Sequence, residues 1–352
     1  MLWITIVLVT LISTIFHKLE RVIGFIAFVG IGYLVGTPNY NYNGDAVVYL
    51  NSFMTKADNF ESGYNWLTNW AGQFLDYSTF RLYSSLIVYI LLFCAILLFT
   101  KKVSLIALFY SISMFPFDNE QVRNGMVSLF ILLGAYFLVK WERKGIIPAI
   151  LIIYFGSYFH SLALIFLLLP LLWMIKENIE KNFKIYFIIL SGIAIASEVL
   201  GSFNLTSFLS SFLMKFGNRN DAATNVVTVY NDGGRSISLW FLFYFITLIM
   251  IFTFYKINCD KEKNIHQFFL CSIILWTGSL ILLTISFDYL RILRVVSFFY
   301  LFLIASLMTE VDKRTERVLF TMGLITSLLL FEAQVLTYGM TLQQWKSIIG
   351  LI

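Results

Sequence analysis

Few side chains in this sequence can do chemistry, and they are unevenly placed. Arg123 stands in "FPFDNEQVRNG" (115–125), and Arg291 and Arg294 stand three apart in "SFDYLRILRV" (286–295), on one face of a helix. A guanidinium offers a planar fork of donors that matches phosphate oxygens and keeps its charge in a partly dry site. Arginines grouped this way point to a phosphate-bearing ligand. The competing explanation is internal pairing with Asp118, Glu120 and Asp288 in the same two stretches. Arg219 and Arg235, in the polar stretches "GNRND" and "NDGGRS", are weaker candidates for the same ligand. His160 is the third feature: one imidazole near the middle of the apolar run 145–176. For Arg81, Lys56 and Lys346 we expect interfacial anchors or loop ion pairs.

The elements that position these groups follow from composition. With 59% hydrophobic and 13% charged residues, a soluble globule would expose large apolar patches. The apolar runs predict an all-α, polytopic integral membrane protein, a single transmembrane domain over 1–352. About twelve spans are expected, near 2–16, 22–37, 82–100, 103–117, 124–139, 146–159, 161–175, 185–200, 237–256, 266–285, 295–309 and 318–337. Outer loops would cover 38–81 and 201–236. The first run lacks a basic lead and a cleavage pattern, so it reads as a span and not a removed signal. Cys94, Cys259 and Cys271 have no metal-ligand spacing and read as small apolar residues.

The run around His160 is too long for one crossing. A single helix over 146–175 would extend about 45 Å, against a hydrocarbon core of about 30 Å, and would put basic clusters on both faces. Two short segments meeting near His160 keep "KWERKG" and "KENIEKNFK" on one side, as the positive-inside rule prefers. His160 then lies at an outer turn. The resulting topology puts 16 of the 25 Lys and Arg inside. Inside, lysine predominates; outside, six of nine are arginine, where the positive-inside rule asks for none.

"NYNGDAVVYLNSF" with "ESGYNWL", then "FDNEQVRNGMVSLFILLGAYFL", "SYFHSLALIFLLLPLL" and "DYLRILRVVSFFY" occur in this order between about residues 40 and 300. This ordered set resembles the EpsG-like branch of the Wzy-type polysaccharide polymerases. The resemblance implies a GT-C-like glycosyltransferase of the bacterial cytoplasmic (inner) membrane, with its active site facing the periplasm. It would join undecaprenyl-pyrophosphate-linked oligosaccharide repeats, with undecaprenyl pyrophosphate as leaving group and no cofactor, metal or nucleotide sugar. Fixed Arg donors would stabilise charge developing on the pyrophosphate. That role falls to Arg123, Arg291 and Arg294, and His160, the one outward histidine of this topology, would take the acceptor hydroxyl's proton or hold the acceptor. Asp45, Tyr49 and Glu61 match the early-loop pattern and would hold sugar hydroxyls or supply the base instead; Asp118, Glu120 and Asp288 join them as substrate-binding candidates.

Expected partners are the lipid-linked oligosaccharides, membrane lipid, a chain-length regulator and a flippase, with no nucleic acid. The alternatives are a flippase or transporter of lipid-linked glycans and a ligase similar to the O-antigen ligases. A transporter would favour midplane charges and repeated halves, and neither is visible here. The topology predicts that single cysteines at 101, 144, 181, 261 and 314 label from the cytoplasm, and those at 45, 118, 160, 231 and 288 from outside. Labelling of position 160 from the cytoplasm only would refute the two-segment reading.

Overall fold

The computed structural model describes residues 1–200, 210–211, 214–215, 237–256, 263–283, 286–309, 311–349 and 351, and all regular structure among them is helical. In chain order the helices are α1 (Leu2–Phe16), α2 (Glu20–Gly36), α3 (Gly44–Thr55), α4 (Ser62–Ala71), α5 (Tyr77–Leu97), α6 (Val103–Ser113), α7 (Phe115–Asp118), α8 (Val122–Trp141) and α9 (Ile146–Gly156). They continue as α10 (Ala163–Phe166), α11 (Leu168–Met174), α12 (Lys176–Leu200), α13 (Ile237–Lys256), α14 (Lys263–Leu283), α15 (Leu290–Leu307), α16 (Lys313–Tyr338) and α17 (Leu342–Ile348). Arg219, Arg235 and Cys259 lie outside the described residues, as does most of 201–236.

The expected spans overlap helices, with 103–117 and 161–175 each divided between two, and length separates them. Among the described residues, five stretches are long and apolar enough to cross a membrane: Tyr77–Leu97, Val122–Gly156, Lys263–Leu283, Leu290–Leu307 and Lys313–Thr337. Four shorter apolar ones are Leu2–Phe16, Val103–Ser113, Ala163–Met174 and Phe241–Phe254. The protein is a multi-pass membrane protein. The expected loop 38–81 is largely helical instead: α3 and α4 fill it, and α5 opens inside it at Tyr77. The starts of α3 and α5 are written locally, by Asn43 accepting from the Ala46 N–H at 2.9 Å and Asp76 accepting from the Thr79 N–H at 2.8 Å.

The described chain divides into two compact units, Met1–Leu133 with Tyr158–His160 and Ile304–Ile352, and Gly134–Ser157 with Ser161–Leu303. In the first unit, α6 is apolar around its circumference and buried along nearly its whole length, so α1, α2 and α16 pack around it. Helix α2 also lies along α5, close enough at one end that a Cβ on Gly36 would fall 2.7 Å from the Leu82 Cα. Beside that contact the fully buried Arg81 donates from Nε to the Val35 carbonyl at 3.0 Å and from Nη2 to the Asn119 carbonyl at 2.9 Å. Arg81 is therefore neither an interfacial anchor nor a surface ion pair. It satisfies a helix-end carbonyl that would otherwise be buried without a donor. At the other end of α2, His17 lies 3.5 Å from Glu20 and 3.4 Å from Glu316, and Lys102 lies 3.4 Å from Glu316. Three basic clusters assigned to one membrane face thus meet at one end of this unit.

In the second unit α14 is the central helix, packed by α11, α12 and α13. The Trp276 indole on α14 donates to Thr247 of α13 at 2.9 Å, and Thr253 and Tyr300 lie in hydrogen-bond contact at 3.2 Å. Although Val122–Gly156 forms one apolar stretch, it is not one rod. Glu142 takes a left-handed φ of 49°, and beyond it Ile153 of α9 lies against Gly134 of α8. The reversal needs Gly145, where a Cβ would fall 1.9 Å from the Phe137 carbonyl oxygen. Helix α12 likewise kinks at Asn182, between its charged start and its apolar run. The break at His160 is also present: α9 ends at Gly156 and α10 begins at Ala163.

Gly145→Ala should abolish accumulation of folded protein or sharply lower its melting temperature in detergent. Gly192→Ala, in open space on α12, should leave both unchanged or slightly improved, because alanine is favoured over glycine inside a helix by roughly 0.5–1 kcal/mol.

Candidate functional site

Four sequence candidates, Tyr49, Glu61, Arg123 and His160, come together within the first unit. Each arrives from a different segment: Tyr49 from the buried face of α3, Glu61 from the residue preceding α4, Arg123 from the first turn of α8, and His160 from the turn after α9. Glu61 occupies the N-cap position of α4, but its side chain does not cap the helix. Its carboxylate is fully buried and receives the Arg123 Nη1 donor on one oxygen, while the other lies 3.8 Å from His160 Nδ1.

The open N-terminus of α4 is satisfied by another group. Both the Gly63 and Tyr64 N–H groups donate to the Tyr158 carbonyl, at 2.9 and 3.2 Å. A Cβ at Gly63 would lie 2.8 Å from that oxygen, so only glycine lets the 158–160 turn come so close. The "SG" of "ESGYNW" thus fixes the backbone two residues before His160. This is the signal sequence reasoning could have used and did not.

Arg123 is only 6% exposed and sits in an aromatic box. Its guanidinium carbon is 4.4 Å from the Phe60 ring centroid, 5.6 Å from that of Tyr49 and 5.8 Å from that of Tyr64. The Nε donates to the Tyr49 hydroxyl at 3.1 Å. The three rings pack on one another with centroids 4.9, 5.8 and 5.4 Å apart. Burial pushes the Tyr64 phenol well above the ordinary tyrosine value, so it stays neutral in the box. Phe60 and Tyr64 were not among the expected site residues.

The remaining candidates are placed differently. Asp118 is buried and accepts from the Tyr110 hydroxyl at 2.9 Å, and that hydroxyl meets Tyr89 at 2.8 Å, a chain within the helical scaffold. Asp45, in the first turn of α3, and Glu120 are half-buried. In the second unit, Arg291 donates to Asp288 at 2.9 Å, and Arg294, one turn further along α15, is buried. Among the described residues no three His, Cys, Asp or Glu side chains are grouped to hold a metal ion.

A multi-pass, all-helical membrane protein with a buried arginine–carboxylate pair beside an imidazole is the class that fold and site define. Residues 21–347 match the model of the EpsG family, and the chain belongs to that family. It is a polysaccharide-polymerase-type membrane protein, glycosyltransferase-like in class. No curated protein and no solved structure matches it.

The buried pair yields a stability test. Removing one partner of a buried ion pair typically costs about 3–5 kcal/mol, whereas replacing both with apolar groups is often close to neutral. Glu61→Leu and Arg123→Met should each lower the melting temperature strongly in detergent, and the double variant should recover much of the loss. Additive losses would mean that the two charges are not coupled.

Proposed function

We propose that the protein joins undecaprenyl-pyrophosphate-linked oligosaccharide repeats at the outer leaflet of the bacterial inner membrane, crossing the membrane about twelve times in a GT-C-like architecture. The observation that carries this reading is the Glu61 carboxylate, held by Arg123 on one side and facing His160 on the other. A carboxylate beside Nδ1 favours the imidazole tautomer and orientation that leave Nε2 open to accept a proton.

In the reaction, an acceptor hydroxyl oxygen forms a bond to the anomeric carbon of the donor sugar. The bond from that carbon to pyrophosphate breaks, its electron pair leaves with the lipid pyrophosphate, and the hydroxyl proton passes to His160. Arg123 has its Nη1 and Nε committed to Glu61 and Tyr49. It therefore suits positioning of Glu61 better than a bidentate grip on pyrophosphate. Arg291 and Arg294 remain the phosphate-binding candidates, with Asp288 setting the orientation of Arg291. Asp45 remains a sugar-hydroxyl candidate, and Arg219, Arg235 and Glu120 are kept as secondary contacts. A chain-length regulator and a flippase are the expected protein partners.

Cells lacking the protein should carry single-repeat glycans. Absence of all surface glycan would indicate a flippase instead, and unattached long chains a ligase. With defined lipid-linked repeats and purified protein, His160→Gln should lower the maximal rate by at least about 100-fold, the lower range for a general base, with no rescue by added acceptor. Near wild-type activity would remove His160 as the base.

A further inference from the structure

Helix α4 turns two different faces to its surroundings. Tyr64, Asn65 and Ala71 are buried, and through Glu61 and Tyr64 this helix forms part of the candidate site. The other face carries Trp66 and Trp70 four residues apart, and Phe74 follows four residues on in the turn after the helix; the three are 66%, 53% and 71% exposed. In a single unit these are large apolar areas left uncovered, and Trp66 and Trp70 share one face of the helix. The Trp66 and Trp70 planes differ by 12°, with centroids 6.4 Å apart, and Phe74 continues the row 5.9 Å beyond Trp70.

We infer that this row is a carbohydrate-binding strip that holds the growing glycan as it leaves the site at the head of α4, an inference resting on the polymerase reading. Sugar rings have an apolar face of C–H groups that lies flat on an aromatic ring, and two near-parallel indoles spaced along a helix suit consecutive sugars of one chain. The exposed Asn69 and Gln73 flank the rings and offer both donors and acceptors to sugar hydroxyls. No charged residue occurs between Glu61 and Asp76, so the strip offers nothing to phosphate and suits an uncharged stretch of glycan. A helix lying in the plane of an anionic membrane surface ordinarily carries Lys and Arg on its polar face; α4 has none.

The strip is tested by replacing the native protein in cells with W66A/W70A and, as a conservative control, W66F/W70F, with membrane levels matched by immunoblot. The alanine pair should shorten the modal glycan by at least several-fold, and the phenylalanine pair should stay near wild-type length. Unchanged length in the alanine pair, with wild-type cells making polymer, overturns the strip and leaves the proposed function intact. Failure of the wild type itself to lengthen any glycan removes both. A second measurement covers the competing location. In vesicles of brominated phosphatidylcholine, the fluorescence difference between wild type and W66F/W70F should persist; its loss would place the row in lipid and overturn the inference.

Discussion

The candidate site depends on one buried charge pair. Burying a carboxylate and a guanidinium is costly unless each meets its counterpart and its remaining polar atoms are satisfied. Here the Arg123 charge is distributed among Glu61, the Tyr49 hydroxyl and three ring faces. Because the partners come from α3, the segment before α4 and α8, satisfying that charge fixes three elements at once. The Tyr158 carbonyl brings in the fourth, so His160 is placed by backbone hydrogen bonds as well as by its own ring.

A second layer holds this one in register. The Asn119 carbonyl accepts from Arg81 and, at 3.3 Å, from Asn43, the capping residue of α3. One oxygen, four residues before Arg123, thereby joins the beginnings of α3 and α5 to the approach to α8. The buried Arg81 places its charge on dipoles, its donors going to two carbonyls and to the Tyr77 hydroxyl at 3.3 Å. Two arginines of similar setting in the sequence therefore serve different ends: one braces backbone, the other holds a carboxylate.

Much of the fold was legible because the bilayer imposes length. The break at His160 followed from a run too long for one crossing, and the structure ends α9 and restarts at α10 around it. Tyr49, Glu61, Arg123 and His160 all stood in the ordered motifs, but so did Asp45, Asp288, Arg291 and Arg294, and it is the structure that brings the first four together. What stayed hidden has a common cause. Arg81 was read as an anchor because its acceptors are backbone carbonyls, which every residue possesses and no sequence marks. Helices α3 and α4 were read as loop because their polar and aromatic composition resembles an interfacial loop, while Asn43, the capping residue of α3, carried the opposite signal. Asp118 drew attention as a charge near Arg123, yet its partner is a tyrosine eight residues earlier.

The pairing of Glu61 with Arg123 also bears on how the chain is made. The two residues are 62 positions apart, and at about 5–20 residues per second the ribosome needs several seconds to deliver the arginine after the glutamate. Throughout that interval the carboxylate cannot meet its arginine, and His160 arrives later still. The segment from Asn43 to Asp76, which follows α2 and precedes α5 and α6, is therefore complete before α8 is made. Among the described residues, no helix within it is long and apolar enough to cross a membrane. The pair can close only once α8 has been made, and the imidazole can join it only after the turn following α9.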